Sequence, residues 1–201
     1  MALVLEQGFD TVTVGAIIAR ADVARATFYA HYADQHDLLT AIVEELASDL
    51  TARVLPQTPT GHVVYGTGIL ELYVHADQNR ELYRVVLSGA ADGRARRAYA
   101  AIVGAAIEQA FTQVMEANHG VPRLPIVAAA KSWTGSHLAL LEWWLNEVPD
   151  RSADEIALIS LQLLVNGYPW GAGLEPGQLV LDTSAYPSHG DARSVSQVQS
   201  H

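Results

Sequence analysis

Residues 13–39 read TVGAIIARADVARATFYAHYADQHDLL. Thr13 is a good N-cap for a short helix whose Ile17 and Ile18 face inward, and that helix ends near Ala21-Asp22. Val23 links it to a second helix of about two turns around Arg25 to Tyr32. Two short helices joined by a tight turn make a helix-turn-helix. Asp34 and Asp37 then supply an acidic cap and first turn for a third helix, in which Leu38, Leu39, Ile42, Val43, Leu46 and Leu50 recur at helical spacing to about Val54. On the N-terminal side, Leu3 to Gln7 reads as the last turns of a helix stopped at Gly8.

Beyond the third helix, Pro56-Gln-Thr-Pro-Thr-Gly61 is a break. The rest is predicted helical. Ile69, Leu70, Leu72 and Tyr73 mark one helix and Arg80 to Leu87 a shorter one. A long one runs from Ala98 to Ala117 with Ile102, Ala105, Ala106, Phe111 and Val114 inward. Ile126 to Leu145 is apolar on more than one face, as expected of a helix covered on both sides. Ser152-Ala-Asp-Glu155 is a capping box opening a last helix through Ile156, Ile159, Leu163 and Val165, which closes near Asn166-Gly167. The fold class is therefore all-α: a three-helix N-terminal unit over residues 1–45, a helical bundle over 46–170, and a disordered tail over 171–201, rich in glycine, serine and proline.

In such a motif the second helix enters the major groove with its N-terminal residues at the base edges. Those residues are Arg25, Ala26, Thr27, Tyr29 and His31. Arg25 can bond guanine bidentately, the Thr27 and Tyr29 hydroxyls can hold phosphates, and His31 can do either; Phe28 and Tyr32 face the core of the unit. Thr13 and Gln35, at the starts of the first and third helices, complete the expected DNA-contacting set.

Gly8-Phe9-Asp10, Thr11-Val-Thr-Val14, Ile18-Ala19, Ala21, Val23, Thr27-Phe-Tyr-Ala-His-Tyr32 and Asp37-Leu-Leu39 resemble the N-terminal domain of the tetracycline-repressor (TetR) family. Asn79-Arg-Glu-Leu-Tyr83 with Leu87-Ser-Gly89, and Leu140-Leu-Glu-Trp-Trp-Leu145 with Pro149 and the Ser152 capping box, are similar to one C-terminal type within it. The resemblance implies a homodimer, an effector pocket inside the C-terminal bundle, and repression of transcription relieved by a small molecule. Four positions depart from the family pattern: Asp22 for the turn glycine, Ala24 for the serine cap of the recognition helix, Gln35 for a common lysine, and Gly15 for a frequent basic residue.

Charge opposes the motif. The chain of 201 residues has a formal net charge of −10, with a single lysine, Lys131. Within residues 1–40, Arg20 and Arg25 face Glu6, Asp10, Asp22, Asp34 and Asp37, a net of −3. Non-specific DNA affinity comes mainly from counterion release by cationic side chains, so this head has little of it. A basic arm upstream of Met1 would supply what is missing; a weakened or lost DNA affinity is the alternative. The second reading of the chain is accordingly a helical dimerisation or ligand-binding module that keeps the fold without the DNA contact.

Tyr73, Phe111, Met115, Trp133 and His137 are the candidate pocket residues, with Trp133 and His137 at i and i+4 on one face; taken singly, each reads first as ordinary core or dimer packing. Arg94, Arg96 and Arg97 form the densest positive patch, expected to pair with Asp92 or solvent. The apolar faces of residues 126–146 and 153–166 predict a homodimer through these two helices. The sequence contains no cysteine. The histidines and carboxylates show no metal-ligand spacing, and there is no Gly-x-Ser-x-Gly, phosphate loop or acid-base constellation, so neither a metal, a cofactor nor an enzyme is expected. Without a basic start or a bilayer-length apolar run, the cytoplasm is the expected compartment.

Overall fold

A computed structural model describes residues 2–54, 66–89, 91–117 and 119–171. Among them the secondary structure is helical, with no strand. The order is α1 (Ala2–Gln7), α2 (Val14–Ala21), α3 (Arg25–His31), α4 (Gln35–Val54), α5 (Gly66–Gln78), α6 (Arg80–Leu87), α7 (Arg94–Ala117), α8 (Ile126–Glu147) and α9 (Ala153–Gly171), with single 3₁₀ turns at Phe9–Thr11 and Ala91–Gly93. Met1–Val165 form one compact unit. The Pro56–Gly61 break and the tail beyond Gly171 lie outside the described residues.

The predicted start and stop signals operate as hydrogen bonds. Thr13 Oγ1 accepts from the Ala16 amide at 3.2 Å, which caps α2. Gly8 takes a positive φ of 79° directly after α1. At the start of α4, Asp34 Oδ1 accepts from the Asp37 amide at 2.8 Å while Asp37 Oδ2 accepts from the Ala33 amide at 3.0 Å. The amide held by Asp34 lowers the pKa of that carboxyl below its usual value. Ser152 and Glu155 close the reciprocal capping box on α9, at 3.0 and 3.3 Å. Inside α9 the helical backbone breaks at Gly167, whose φ is 82°.

Leu39, Val43, Leu46, Ala47 and Leu50 form the buried stripe of α4. They join one continuous core with Leu72, Tyr73 and Ala76 of α5, Tyr83 and Val86 of α6, Tyr99 and Val103 of α7, Leu141 and Trp144 of α8 and Ile156 of α9. The predicted boundary between residues 45 and 46 falls inside α4. In α7 the inward face is offset from the expected one. The helix begins at Arg94 rather than Ala98, and its buried residues are Ala95, Tyr99, Val103 and Ile107. Ala105 is exposed, and Ile102, Ala106 and Phe111 are only half-buried. Small apolar residues surround this helix, so spacing alone leaves the phase open, and the i, i+4 ladder through Tyr99 prevails because it buries the largest side chain. Leu70 likewise lies exposed, with Ile69, Leu72 and Tyr73 inward.

Two arginines of α6 hold the end of α8. Arg84 donates from Nε and Nη2 to the Leu145 carbonyl at 3.2 and 2.9 Å. Arg80 donates to the Pro149 carbonyl at 2.8 Å, and its guanidinium lies 4.8 Å from the Trp144 ring centroid. Carbonyls in a last helical turn lack intrahelical partners, so these forks fill a need the helix itself cannot. Arg84→Ala is expected to lower unfolding free energy by about 1.5–3 kcal/mol, the usual worth of a hydrogen bond with a charged partner. Arg84→Lys, which cannot offer two parallel donors, should recover only part of it; urea unfolding of the three proteins measures both.

Candidate functional site

The N-terminal head presents α3 to solvent. Phe28 is the only buried residue of that helix. Its ring meets Tyr29 edge-on at 5.4 Å and lies 5.7 Å from Tyr32. Arg25, Ala26, Thr27, Tyr29 and His31 are all exposed, as is Thr13, while Gln35 is half-buried. The Arg25 guanidinium sits 5.6 Å from the Tyr29 ring centroid, and its Nη2 lies 3.5 Å from the Tyr29 hydroxyl. Arg20 is taken by Glu6 at 3.3 Å, a pair more than half exposed on both sides and so of small energetic weight.

The departures in the turn have local accounts. Asp22 adopts the left-handed conformation, φ 52° and ψ 44°, where the resembled family carries glycine. Aspartate visits that region more readily than most residues. Ala24 occupies the N-cap of α3 without a side-chain hydrogen bond. Gly15 is exposed on α2, and a Cβ there would meet only Thr13 Oγ1, at 3.7 Å. Between α1, α2 and α4 lies an apolar cavity of about 240 Å³, lined by Leu3, Phe9, Val12, Ile17 and Leu38, with Arg20 and Gln35 among its polar neighbours.

The bundle interior gathers three of the five predicted pocket residues. Tyr73 and His137 are buried, with His137 Nδ1 3.4 Å from the Tyr73 hydroxyl. Trp133 stacks on His137, with centroids 5.2 Å apart and planes 8° from parallel. Phe111 packs against the edge of the same core. Met115 lies beside the Gly120 turn, its Cγ 3.3 Å from where a Gly120 Cβ would stand. Arg96 reaches Glu142 of α8 at 3.4 Å, where the sequence reading expected Asp92 or solvent. The Asp92 backbone is left-handed, at φ 54°, and the α7–α8 contact brings the Glu142 carboxylate to Arg96.

Sequence reading missed the residues that connect this interior to α4. Nδ1 of buried His75 lies 2.9 Å from the Tyr83 hydroxyl. The Tyr99 hydroxyl is 3.4 Å from that of Tyr83 and 3.3 Å from His137 Nε2. At the other end, His75 Nε2 is 3.3 Å from Asp49 Oδ2, and Arg53 holds the same carboxylate oxygen at 2.8 Å. Tyr73 also hydrogen-bonds Ser160 of α9. Desolvation dominates the proton affinities. Burial raises Tyr73, Tyr83 and Tyr99 well above the usual phenol and pushes His137 down to about 3. His75 is lowered for the same reason, with Asp49 acting against the shift. Among the described residues, no group of three or more His, Asp or Glu converges as a metal site would, and no helix is long and apolar enough to cross a membrane.

Residues 1–42 match the family model for bacterial regulatory proteins of the tetR family. The head is TetR-like. No curated protein sequence matches the chain significantly. Among solved structures, a TetR-family transcriptional regulator from Syntrophomonas wolfei is similar at TM-score 0.69 and 15% identity, covering 90% of this chain and 93% of that one. The fatty acid degradation regulator FadR from Bacillus halodurans is similar at TM-score 0.69 and 13% identity, over 83% and 94% of the two chains. Thermus thermophilus FadR, a TetR-family repressor in complex with lauroyl-CoA, is similar at TM-score 0.63 and 21% identity, over 95% of each. The TetR-like all-α fold therefore extends from the head through the bundle.

The buried histidines make stability depend on pH in a defined sense. Both fold as neutral rings with depressed pKa values, so the unfolded chain binds more protons at acid pH. Their contribution is complete above the ordinary histidine value of 6.5 and is lost as pH falls from there towards the folded value, about 3 for His137. Unfolding free energy should fall by up to about 1.4 kcal/mol per pH unit for each histidine. Urea titrations at about pH 7.5, 6.5, 6 and 5.5 check this, above the range where carboxylates with lowered native pKa values add their own loss.

Proposed function

We propose that the chain is a TetR-type transcriptional regulator, a repressor, that reads an operator through α3 and is released by a small-molecule effector held in the bundle of α5 to α9. The observation that carries this reading is α3 itself. One side chain, Phe28, anchors it, and Arg25, Ala26, Thr27, Tyr29 and His31 are all left exposed on a head that matches the family model. On this reading Arg25 bonds a guanine and Thr27 and Tyr29 hold phosphates, with Thr13 and Gln35 flanking them. Residues 1–45 act as the head and the bundle to residue 170 as the effector and dimerisation part.

Operator reading by two heads requires a homodimer. Val127 of α8 and Leu158 and Val165 of α9 are 42%, 53% and 64% exposed, apolar positions on the two helices that suit a two-fold contact. Tyr73, Trp133 and His137, with Phe111 and Met115 further along α7, line the proposed effector path. An acyl-CoA is the first effector class to test, because the Thermus thermophilus neighbour is in complex with lauroyl-CoA. Cytoplasmic location follows from this function.

Footprinting on the chain's own upstream region at low salt tests the proposal; no protection, with this chain or one extended at its N-terminus, overturns it. Arg25→Ala should weaken a specific complex by about 1–3 kcal/mol and relax selectivity at one base pair.

The engagement of Arg20 by Glu6 favours a second reading, a dimerising, ligand-binding module with weakened or lost DNA affinity. Gly15→Arg with Gln35→Lys adds two cations to each head, and a Cβ at Gly15 makes only an ordinary contact with Thr13 Oγ1. Under this second reading the double variant gains DNA binding that the parent lacks. Under the first it strengthens an existing complex and steepens the slope of log affinity against log salt by about 2 per head.

A further inference from the structure

Seven side chains, on every helix from α4 to α9, are linked by hydrogen bonds, and the donor at each link can be deduced from one end. The Asp49 carboxylate only accepts, so His75 Nε2, 3.3 Å away, carries the proton. In a neutral ring Nδ1 is then an acceptor, and the Tyr83 hydroxyl donates to it at 2.9 Å. The Tyr83 oxygen accepts from Tyr99 at 3.4 Å. Tyr99 has thereby spent its one proton, so His137 Nε2–H donates to the Tyr99 oxygen at 3.3 Å. His137 Nδ1 accepts from Tyr73 at 3.4 Å, and the Tyr73 oxygen accepts from Ser160. All six bonds point the same way, from α9 towards a single anion on α4. The opposite sense would set a ring-nitrogen lone pair against the Asp49 carboxylate.

We infer that this chain is a relay with two discrete senses, which makes the seating of α4 at Asp49 and the hydrogen bonding of the bundle interior around His137 and Tyr73 a single cooperative unit. Each donor polarises the next, so links in one sense reinforce one another. A protonated His75 donates from both nitrogens and reverses the order. The Tyr83 proton passes to His75 Nδ1, that of Tyr99 to Tyr83, and that of His137 Nε2 to Tyr99. The Tyr73 proton passes to His137 Nδ1 and that of Ser160 to Tyr73, while Ser160 takes one from water. One proton enters and one positive charge appears, on His75, while His137 changes tautomer without being charged. The groups facing His75 are Asp49 and Arg53 of α4, Glu71 of its own helix and Tyr83 of α6, with Tyr99 of α7 behind. Tyr73, Tyr99 and Trp133 face His137. The Tyr83–His75 bond is short, at 2.9 Å; the links of His75 to Asp49, of Tyr99 to Tyr83, and of His137 to Tyr99 and Tyr73, at 3.3–3.4 Å, are long and correspondingly weak.

The inference goes beyond the proposed function and needs neither DNA nor an effector for its test. Long-range proton–nitrogen spectra of the full chain labelled at histidine report each tautomer directly. At pH 7.5 His75 and His137 should both be Nε2–H. As acid protonates His75, His137 should convert to Nδ1–H in step while remaining neutral. Asp49→Leu removes the anion and should turn His137 from one tautomer into a mixture. Tyr99→Phe, or Tyr83→Phe if the former does not fold, should abolish both responses. A His137 tautomer indifferent to His75 protonation and to Asp49→Leu overturns the relay, as does an equal response when the middle link is cut. The wild-type titration decides even if no variant folds.

Discussion

The burial of one face of α4 is the constraint on which the rest of the structure depends. Leu39, Val43, Leu46, Ala47 and Leu50 occupy one stripe of a continuous helix of 20 residues, and they pack into the same core as Trp144 and Ile156. Fully burying a leucine or valine is worth about 1.5–3 kcal/mol, so a turn of α4 about its own axis would forfeit several such terms at once. The N-terminal head follows α4 directly, since α3 ends at His31 and the Asp34–Asp37 cap opens α4 four residues later. Displacement of α4 against the bundle is thus displacement of α3 in space. Asp49 sits on the exposed side of this helix and Leu50 on its buried side, which puts polar and apolar attachment to the bundle on adjacent residues.

Much of this arrangement was legible from sequence wherever a terminus carries its own chemistry. Thr13, Asp34 with Asp37, Ser152 with Glu155, Gly8 and Gly167 act through hydrogen bonds or backbone conformations a few residues away, and the structure shows each at the expected place. α7 was less legible. With alanine on several faces, its hydrophobic pattern admits more than one phase, and the choice is made by what Tyr99 meets on α6 and α8. Arg96 illustrates the same limit. Asp92 is its neighbour in sequence, but Glu142 is its neighbour in the α7–α8 contact.

The candidate site divides along the same line. Exposure of Arg25, Thr27, Tyr29 and His31 follows from a short helix with a single anchor, a local property. The bundle network depends on residues 49, 75, 83, 99 and 137, each on a different helix. A lone histidine in an apolar helix reads as core, and tyrosines read as bulk. Only their convergence turns them into a hydrogen-bonded chain, and convergence is a tertiary fact. Tyr73, Trp133 and His137 were found because two of them share a helical face; Asp49 and His75 had no such signal.

The chemistry of the network also explains why it can lie so deep. An ion pair in the interior would have to offset the desolvation of two charges, which commonly costs more than their attraction returns. Here the interior members are neutral: burial raises the three tyrosines and lowers both histidines, which keeps them uncharged near neutral pH. The only formal charges stand at the rim, where Asp49 is half exposed and partnered by Arg53. A single solvated carboxylate can therefore orient a row of neutral dipoles without itself being buried. Neutral links of 3.3–3.4 Å are individually weak, and their order survives only while every member keeps its partner. Those links cross from helix to helix, whereas the apolar stripe of α4 is continuous, so a small shift of α4 disturbs the polar order well before it costs much buried area.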